Sequence, residues 1–323
     1  MRLAVELAGR MEYGAANQVL EEVGQISISS TSIWRQVGRW GERFVALENL
    51  ERGAAMALPG RDELLPIGQA AAVNMGVAMD GAMVHIRGEG WKELKVGAVF
   101  EIGMQAALDR HTNEYVELAH AVNNSYTAHL GGPERFGQDV WREARRRGWF
   151  RARETIALGD GAAWIWNQVD EHFSDSRQLI DWYHASQHLA SAANLYKGDG
   201  TPAAHQWRKE HQTPLFQGHA ERIAGRLREA ARQQPTVADG LRREAGYFAD
   251  NQRRMNYLDT REDGFPIGSG MVESACKQFR ARFTAAGMRW SRPGIERLLP
   301  IRAAILSNRF PARWAAVTNS PPN

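Results

Sequence analysis

The chain has 323 residues, 43% of them hydrophobic and 24% charged, with a mean hydropathy of −0.47. Those values exclude a disordered chain, a collagen and a coiled coil, and they leave room for one large or two modest domains around a real core. The 40 basic residues nearly balance the 37 acidic ones, so the net charge of +3 names no partner, and arginine far outnumbers lysine.

Residues 1–45 read as helical. Ala16, Val19, Leu20 and Val23 give the apolar period, Gly24 stops it, and a second helix begins after Ser29-Ser30-Thr31 with Ser30 as its N-cap. Two helices split by a tight turn, the second carrying Arg35 and Arg39, fit a helix-turn-helix that reads DNA. Two packed helices with no such role fit the same pattern.

From Asn74 the period changes. The run 74–80 ends in Asp80, Gly81 permits a turn, Met83 to Ile86 alternates, and 93–103 continues a β-rich pattern, which predicts three sequential antiparallel strands. An amphipathic helix follows over 132–149, with Arg142, Arg145, Arg146 and Arg147 on its wetter side. A second β-rich run, 154–160, closes on Asp160-Gly161. Helix 162–173, strand 177–181 and helix 182–196 complete a parallel βαβ pattern. Residues 201–261 carry only helical signals. A further helix starts after Gly268-Ser269-Gly270 and runs to about Ala285, Pro293 opens a last one, and a polar tail covers 319–323.

The order of three strands, a helix and two further strands is that of an RNase H-like fold. The predicted class is α/β: a mixed sheet flanked by helices, interrupted by an all-helical insertion, with a helix-turn-helix-like N-terminal segment. The boundaries are 1–70 for that segment, 71–200 for the first part of the core, 201–262 for the insertion and 263–323 for the closing helices. In this order the first and fourth strands are neighbours, so Asp80 and Asp160 converge, and a later helix can bring Glu273 over them. Three carboxylates around one cleft suit a pair of Mg²⁺ ions, with Mn²⁺ as substitute, for phosphodiester chemistry. Taken singly, each aspartate before glycine is also ordinary turn chemistry, and Glu273 is also a favourable first-turn acid.

Cys276 is the only cysteine, which removes an internal disulfide and a cysteine-rich zinc cluster and points to a reducing compartment. No run approaches the roughly 20 apolar residues of a membrane span, and Glu6 interrupts any secretory leader. A cytoplasmic protein without membrane contact is expected.

Several strings resemble, in order, the bacterial insertion-sequence transposases of the ISKra type, within the DDE superfamily. They are Met79-Asp80-Gly81, 91–97 (WKELKVG), 159–166 (GDGAAWIW), 181–185 (DWYHA), 268–274 (GSGMVES) and 287–292 (GMRWSR). The likeness runs from about residue 15 to 310. It implies cleavage of DNA at transposon ends and transfer of the freed strands into target DNA, with Asp80, Asp160 and Glu273 as catalytic metal ligands. It also implies a helical insertion in the core, a longer N-terminal region than this chain carries, and double-stranded terminal repeats and target DNA as partners of a dimer or larger assembly. Asp181 and His184 resemble the family's Asp-x-x-His signature and would support the site. A strand-end cap and a satisfied histidine are the plainer alternative, and His184 with His188 also has the spacing of a zinc pair.

Two basic clusters offer DNA contacts. One joins Arg142, Arg145, Arg146, Arg147, Arg151 and Arg153. The other joins Lys277, Arg280, Arg282, Arg289 and Arg292, interleaved with Phe279, Phe283 and Trp290. A non-catalytic, transposase-derived DNA-binding protein, or one defective in end recognition, is the alternative function.

Overall fold

The computed structural model describes residues 1–64, 73–109, 113–285 and 287–319. The sequence boundary at 70 and the polar tail beyond 319 lie outside these residues. In chain order the elements are α1 (Arg2–Arg10), α2 (Tyr13–Glu22), α3 (Ser30–Ala55), α4 (Arg61–Leu64), β1 (Met75–Ile86), β2 (Gly90–Asp109), β3 (Glu114–Leu130), α5 (Pro133–Arg146), β4 (Thr155–Gly159) and α6 (Ala163–His172). There follow β5 (Arg177–Ile180), α7 (Trp182–Lys197), α8 (Pro202–Phe216), α9 (Ala220–Gln233), α10 (Ala238–Asp250), α11 (Tyr257–Glu262), α12 (Gly270–Phe283), α13 (Arg292–Leu306) and α14 (Phe310–Asn319). The strands form a mixed five-stranded sheet in the order β3-β2-β1-β4-β5. β1 is antiparallel to β2, and β4 is parallel to β5. No helix among the described residues is long and apolar enough to cross a membrane.

Two compact units divide the chain. The first comprises Met1–Glu101, Asn123–Arg153 and Gly270–Asn323. Its core includes Val77, Val84, Leu94, Val96 and Phe100 of the sheet. Strand alternation sends Met79 and Gly97 to the face covered by α5, where Val140 and Phe136 occupy the space a Cβ on Gly97 would need. The opposite face, with Ala78 and Asp80, meets α12. α3 packs along α13 so closely that a Cβ on Gly41 would lie 2.4 Å from the Arg297 carbonyl oxygen, a crossing only glycine allows.

The second unit comprises Ile102–Val122 and Glu154–Ser269. Here α6 supplies the crossover between the parallel strands β4 and β5. The segment 202–262 is helical as read from the sequence, with Leu227, Leu241, Ala245 and Phe248 fully or nearly buried where α9 and α10 pack.

Five expectations change. β1 continues through Asp80-Gly81 without a turn, because both residues pair with β2, Asp80 opposite Val96 and Gly81 opposite Lys95. The third strand is β3, whose sequence is too polar to alternate cleanly. Val23 to Ser29 separate α2 from α3, so the tight turn of a helix-turn-helix is absent, and Ser29 rather than Ser30 caps α3 by accepting the Ser32 N–H at 3.2 Å. α14 also follows the predicted last helix, after a reversal at Asn308, whose φ is +54°.

Candidate active site

In the first unit, Asp80 sits mid-strand on the face toward α12, with one carboxylate oxygen accepting the Gly81 N–H at 2.7 Å. Gly81 points the other way, and the position of its missing Cβ lies 2.5 Å from Oε1 of Glu93, which is ion-paired to the buried Lys95. Glycine here gives the Glu93 side chain room to cross the strand; it does not make a turn. On α12, Glu273 lies in the first turn and Cys276 one turn later on the same side. The Cys276 thiol donates to the Asp80 carboxylate. Burial raises its pKa far above the usual thiol range, and the charges of Asp80 and Glu273 raise it further. A single thiol thus registers the field of both carboxylates. Lys277 is the cation nearest Glu273 on the same helix, at 3.8 Å, and its side chain is 78% exposed.

In the second unit, Asp160 follows β4 and accepts the Ala162 N–H at 2.8 Å, an Asx turn that opens α6. Gly161, at φ +107°, is packed beneath Tyr247 of α10, whose ring carbon would sit 2.9 Å from a Cβ there. The Tyr247 hydroxyl donates to the Asp160 carbonyl at 3.3 Å, and burial raises its pKa, as do the carboxylates of Asp160, Asp181 and Glu244. His188 stacks on the Tyr247 ring at 3.5 Å and bonds Glu244 at 2.7 Å. Among the described residues His188 belongs to no group of three or more ligands close enough to hold a metal ion.

Asp181 is fully buried. One oxygen accepts the N–H groups of Tyr183 at 2.7 Å and His184 at 3.0 Å, capping α7, and the other accepts the Ser269 N–H. The Trp182 N–H donates to the Ile267 carbonyl at 2.9 Å, so the segment before α12 is fastened to the start of α7. The capping role suggested by the sequence is therefore present, and Ser269, not singled out there, completes it.

In the second unit the ligand atoms of Asp181 and His184 lie within 4.8 Å of each other, and both Asp181 oxygens already accept backbone N–H bonds.

The first basic cluster is not a wet helix face. Arg142 is buried and paired with Glu48 and Asp139. Arg145 holds Glu63 at 2.7 Å and donates to the carbonyls of Ala55 and Ala57. Arg146 pairs with Glu143, and Arg147 pairs with Glu101 at 2.6 Å while donating to the Val99 carbonyl. These guanidiniums tie α5 to its own unit. In the second cluster Lys277, Arg280 and Arg289 are exposed, whereas Arg292 is paired with Glu89 at 2.6 Å and with Glu296. Trp290 is 8% exposed, its indole N–H donating to the Phe283 carbonyl at 3.0 Å, so it is core and not a free base wedge. Arg35 and Arg39 are exposed on α3.

No protein-family model matches the chain, and no curated protein matches it at a significant level.

Proposed function

We propose that this protein is a DDE-type transposase, with an RNase H-like core, that cuts DNA at the ends of its element and joins the freed 3′-hydroxyls to target DNA. The observation that carries the reading is the packing of α12 on β1, with Cys276 hydrogen-bonded to Asp80 and Glu273 one helical turn from Cys276 on the same side. Asp160, just beyond β4 in the second unit, is the third carboxylate the reading calls for.

The donor chemistry fits a hard divalent cation. Carboxylates predominate, and the nearby thiol is kept protonated, so it offers no soft thiolate that would favour zinc or copper(I). By the family resemblance Asp80, Asp160 and Glu273 would hold the ions. When bound, a pair of Mg²⁺ or Mn²⁺ ions supplies activation of a water or 3′-hydroxyl nucleophile and stabilisation of the leaving oxygen. Asp181 acts as a positioning residue by setting the start of α7 against Ser269. The exposed cations Lys277, Arg280 and Arg289 would hold the duplex through its phosphates. Synapsis of two ends calls for at least two copies of the chain.

The test uses DNA flanking the protein's own gene as substrate, incubated with Mg²⁺ or Mn²⁺ and followed for nicks and for joining of a pre-cut 3′ end. Asp80→Asn, Asp160→Asn and Glu273→Gln should each lower both reactions by more than the roughly 100-fold that outer-shell partners of a metal cost, while DNA binding persists. Strand transfer at the wild-type level by any of the three would overturn the proposal. Sequence-specific binding by a wild-type protein that never nicks would favour the non-catalytic DNA-binding alternative.

A further inference from the structure

Where the first turns of α3 lie beside the start of α13, the first unit carries an open groove of about 340 Å³. Its lining includes Tyr13, Trp34, Arg35, Arg39, Glu42 and Arg297. The volume is within the range of sites that hold small ring systems. Glu42 is the only acid in the lining, and Arg297 already neutralises it at 2.6 Å. Arg35 and Arg39 lie one helical turn apart on the same side of α3, both exposed, and neither makes an ion pair or side-chain hydrogen bond among the described residues. This contrasts with the arginines of α5, which are paired within the unit. Trp34 is 54% exposed, a large indole left at the surface beside two free guanidiniums.

We infer that this groove takes a single DNA strand, splayed from a duplex end, with one base stacked on Trp34 and neighbouring phosphates held by Arg35 and Arg39. The chemistry selects a nucleic acid strand because the lining unites a free aromatic face with net positive charge. Stacking tolerates any base, and guanidinium is the better bidentate phosphate ligand. A duplex in register would present phosphates to the arginines and keep its bases from the indole. The inference deepens the DNA-handling reading above and rests on it for the identity of the partner.

The experiment measures binding of fluorescein-labelled single-stranded and duplex oligonucleotides of the same sequence by anisotropy, in EDTA, with the whole chain. Trp34→Ala should weaken single-strand binding about tenfold and duplex binding far less, and Trp34→Phe should restore most of the loss. The Arg35→Ala/Arg39→Ala double variant should reduce the salt slope for the single strand by about 1.4, the value for two released counterions. Circular dichroism confirms that each variant folds. An unchanged single-strand affinity in Trp34→Ala would overturn the inference, as would equal losses on duplex and single strand. Competition by polyglutamate as effective as by the oligonucleotide would overturn it too, in favour of an acidic peptide. Because binding is read without metal, the groove and the transposase reading fail separately: absence of metal-dependent breaks sinks the latter and leaves the binding result standing.

Discussion

The Cys276 thiol donates its hydrogen bond to the carboxylate of Asp80, joining the middle of β1 to the second turn of α12. The contact makes the cysteine a reporter of the carboxylate site. Its pKa is raised by burial first and by Asp80 and Glu273 after that, so the native thiol stays protonated through neutral pH. A thiol reagent at pH 8 should label the native protein far more slowly than the urea-unfolded chain. The folded-state value lies above the unfolded one, so this group's stabilising contribution is complete below about pH 8.5 and declines above it, by up to about 1.4 kcal/mol per pH unit. Urea midpoints compared between pH 7.5 and 9.5, for wild type and Cys276→Ala, check the sign. A Cys276→Ala protein with the same alkaline decline as wild type would refute the assignment.

Asp181 accepts three backbone N–H groups, so its removal should be a stability defect before it is a catalytic one. Asp181→Ala should lower unfolding free energy by about 2 kcal/mol, from the lost cap and the unsatisfied buried donors. Asp181→Asn should not rescue it fully, because an amide N–H₂ cannot accept from Ser269 while its oxygen serves Tyr183 and His184. Denaturant unfolding of the two variants reads this directly.

Glu143 is buried between Arg146 and Arg309, at 2.5 Å and 2.8 Å. Burial alone would raise its pKa, but the two arginines outweigh it and bring the carboxyl down to about 2. Glu143→Ala should cost about 3 kcal/mol, because it leaves two guanidiniums facing each other without an anion. Additional salt should recover part of that loss, and a thermal melt with and without salt measures both.

Acid unfolding should proceed in two overlapping stages. Burial pushes His129 down to about 4, so the native ring is neutral while the unfolded one, near 6.5, takes up a proton. Its contribution is complete above about pH 6.5 and is lost as pH falls toward 4. Glu143 contributes above its unfolded value near 4.3 and is lost toward 2. Stability should therefore fall continuously from pH 6.5 downward, and His129→Gln should remove the upper stage only. A plateau from pH 6.5 to 4.5 in the wild type would contradict the His129 assignment.

Much of this fold is legible in the residues themselves. The runs at β4 and β5, each short and apolar and followed by a helix, announce the parallel pair, and Asp181 before Trp182 announces a capped helix. Asp80-Gly81 misleads because local chemistry favours a turn there, whereas pairing along β2 holds the chain extended. The glycine answers to Glu93, a residue that only the strand register brings near. The α5 arginines mislead for the same reason. Their partners Glu48, Glu63 and Glu101 lie 46 to 94 positions away in sequence, so nothing local distinguishes a solvated run from a neutralised one. The spacing of Glu273 and Cys276 along α12 was visible, but what the helix would lie against was not.

Because β1 carries Asp80 through its interior, the direction of that carboxylate depends on counting residues from the start of the strand. Side chains alternate between faces, so deleting one residue between Met75 and Met79 while Met75 keeps its place opposite Glu101 would turn the site inside out. The acid would face α5, and glycine would face α12. Such a protein could keep the pairing at the start of the strand and still lose its carboxylate pair. For the gene, the codons for Met75 to Met79 are where a single in-frame loss would be silent in composition and decisive in chemistry.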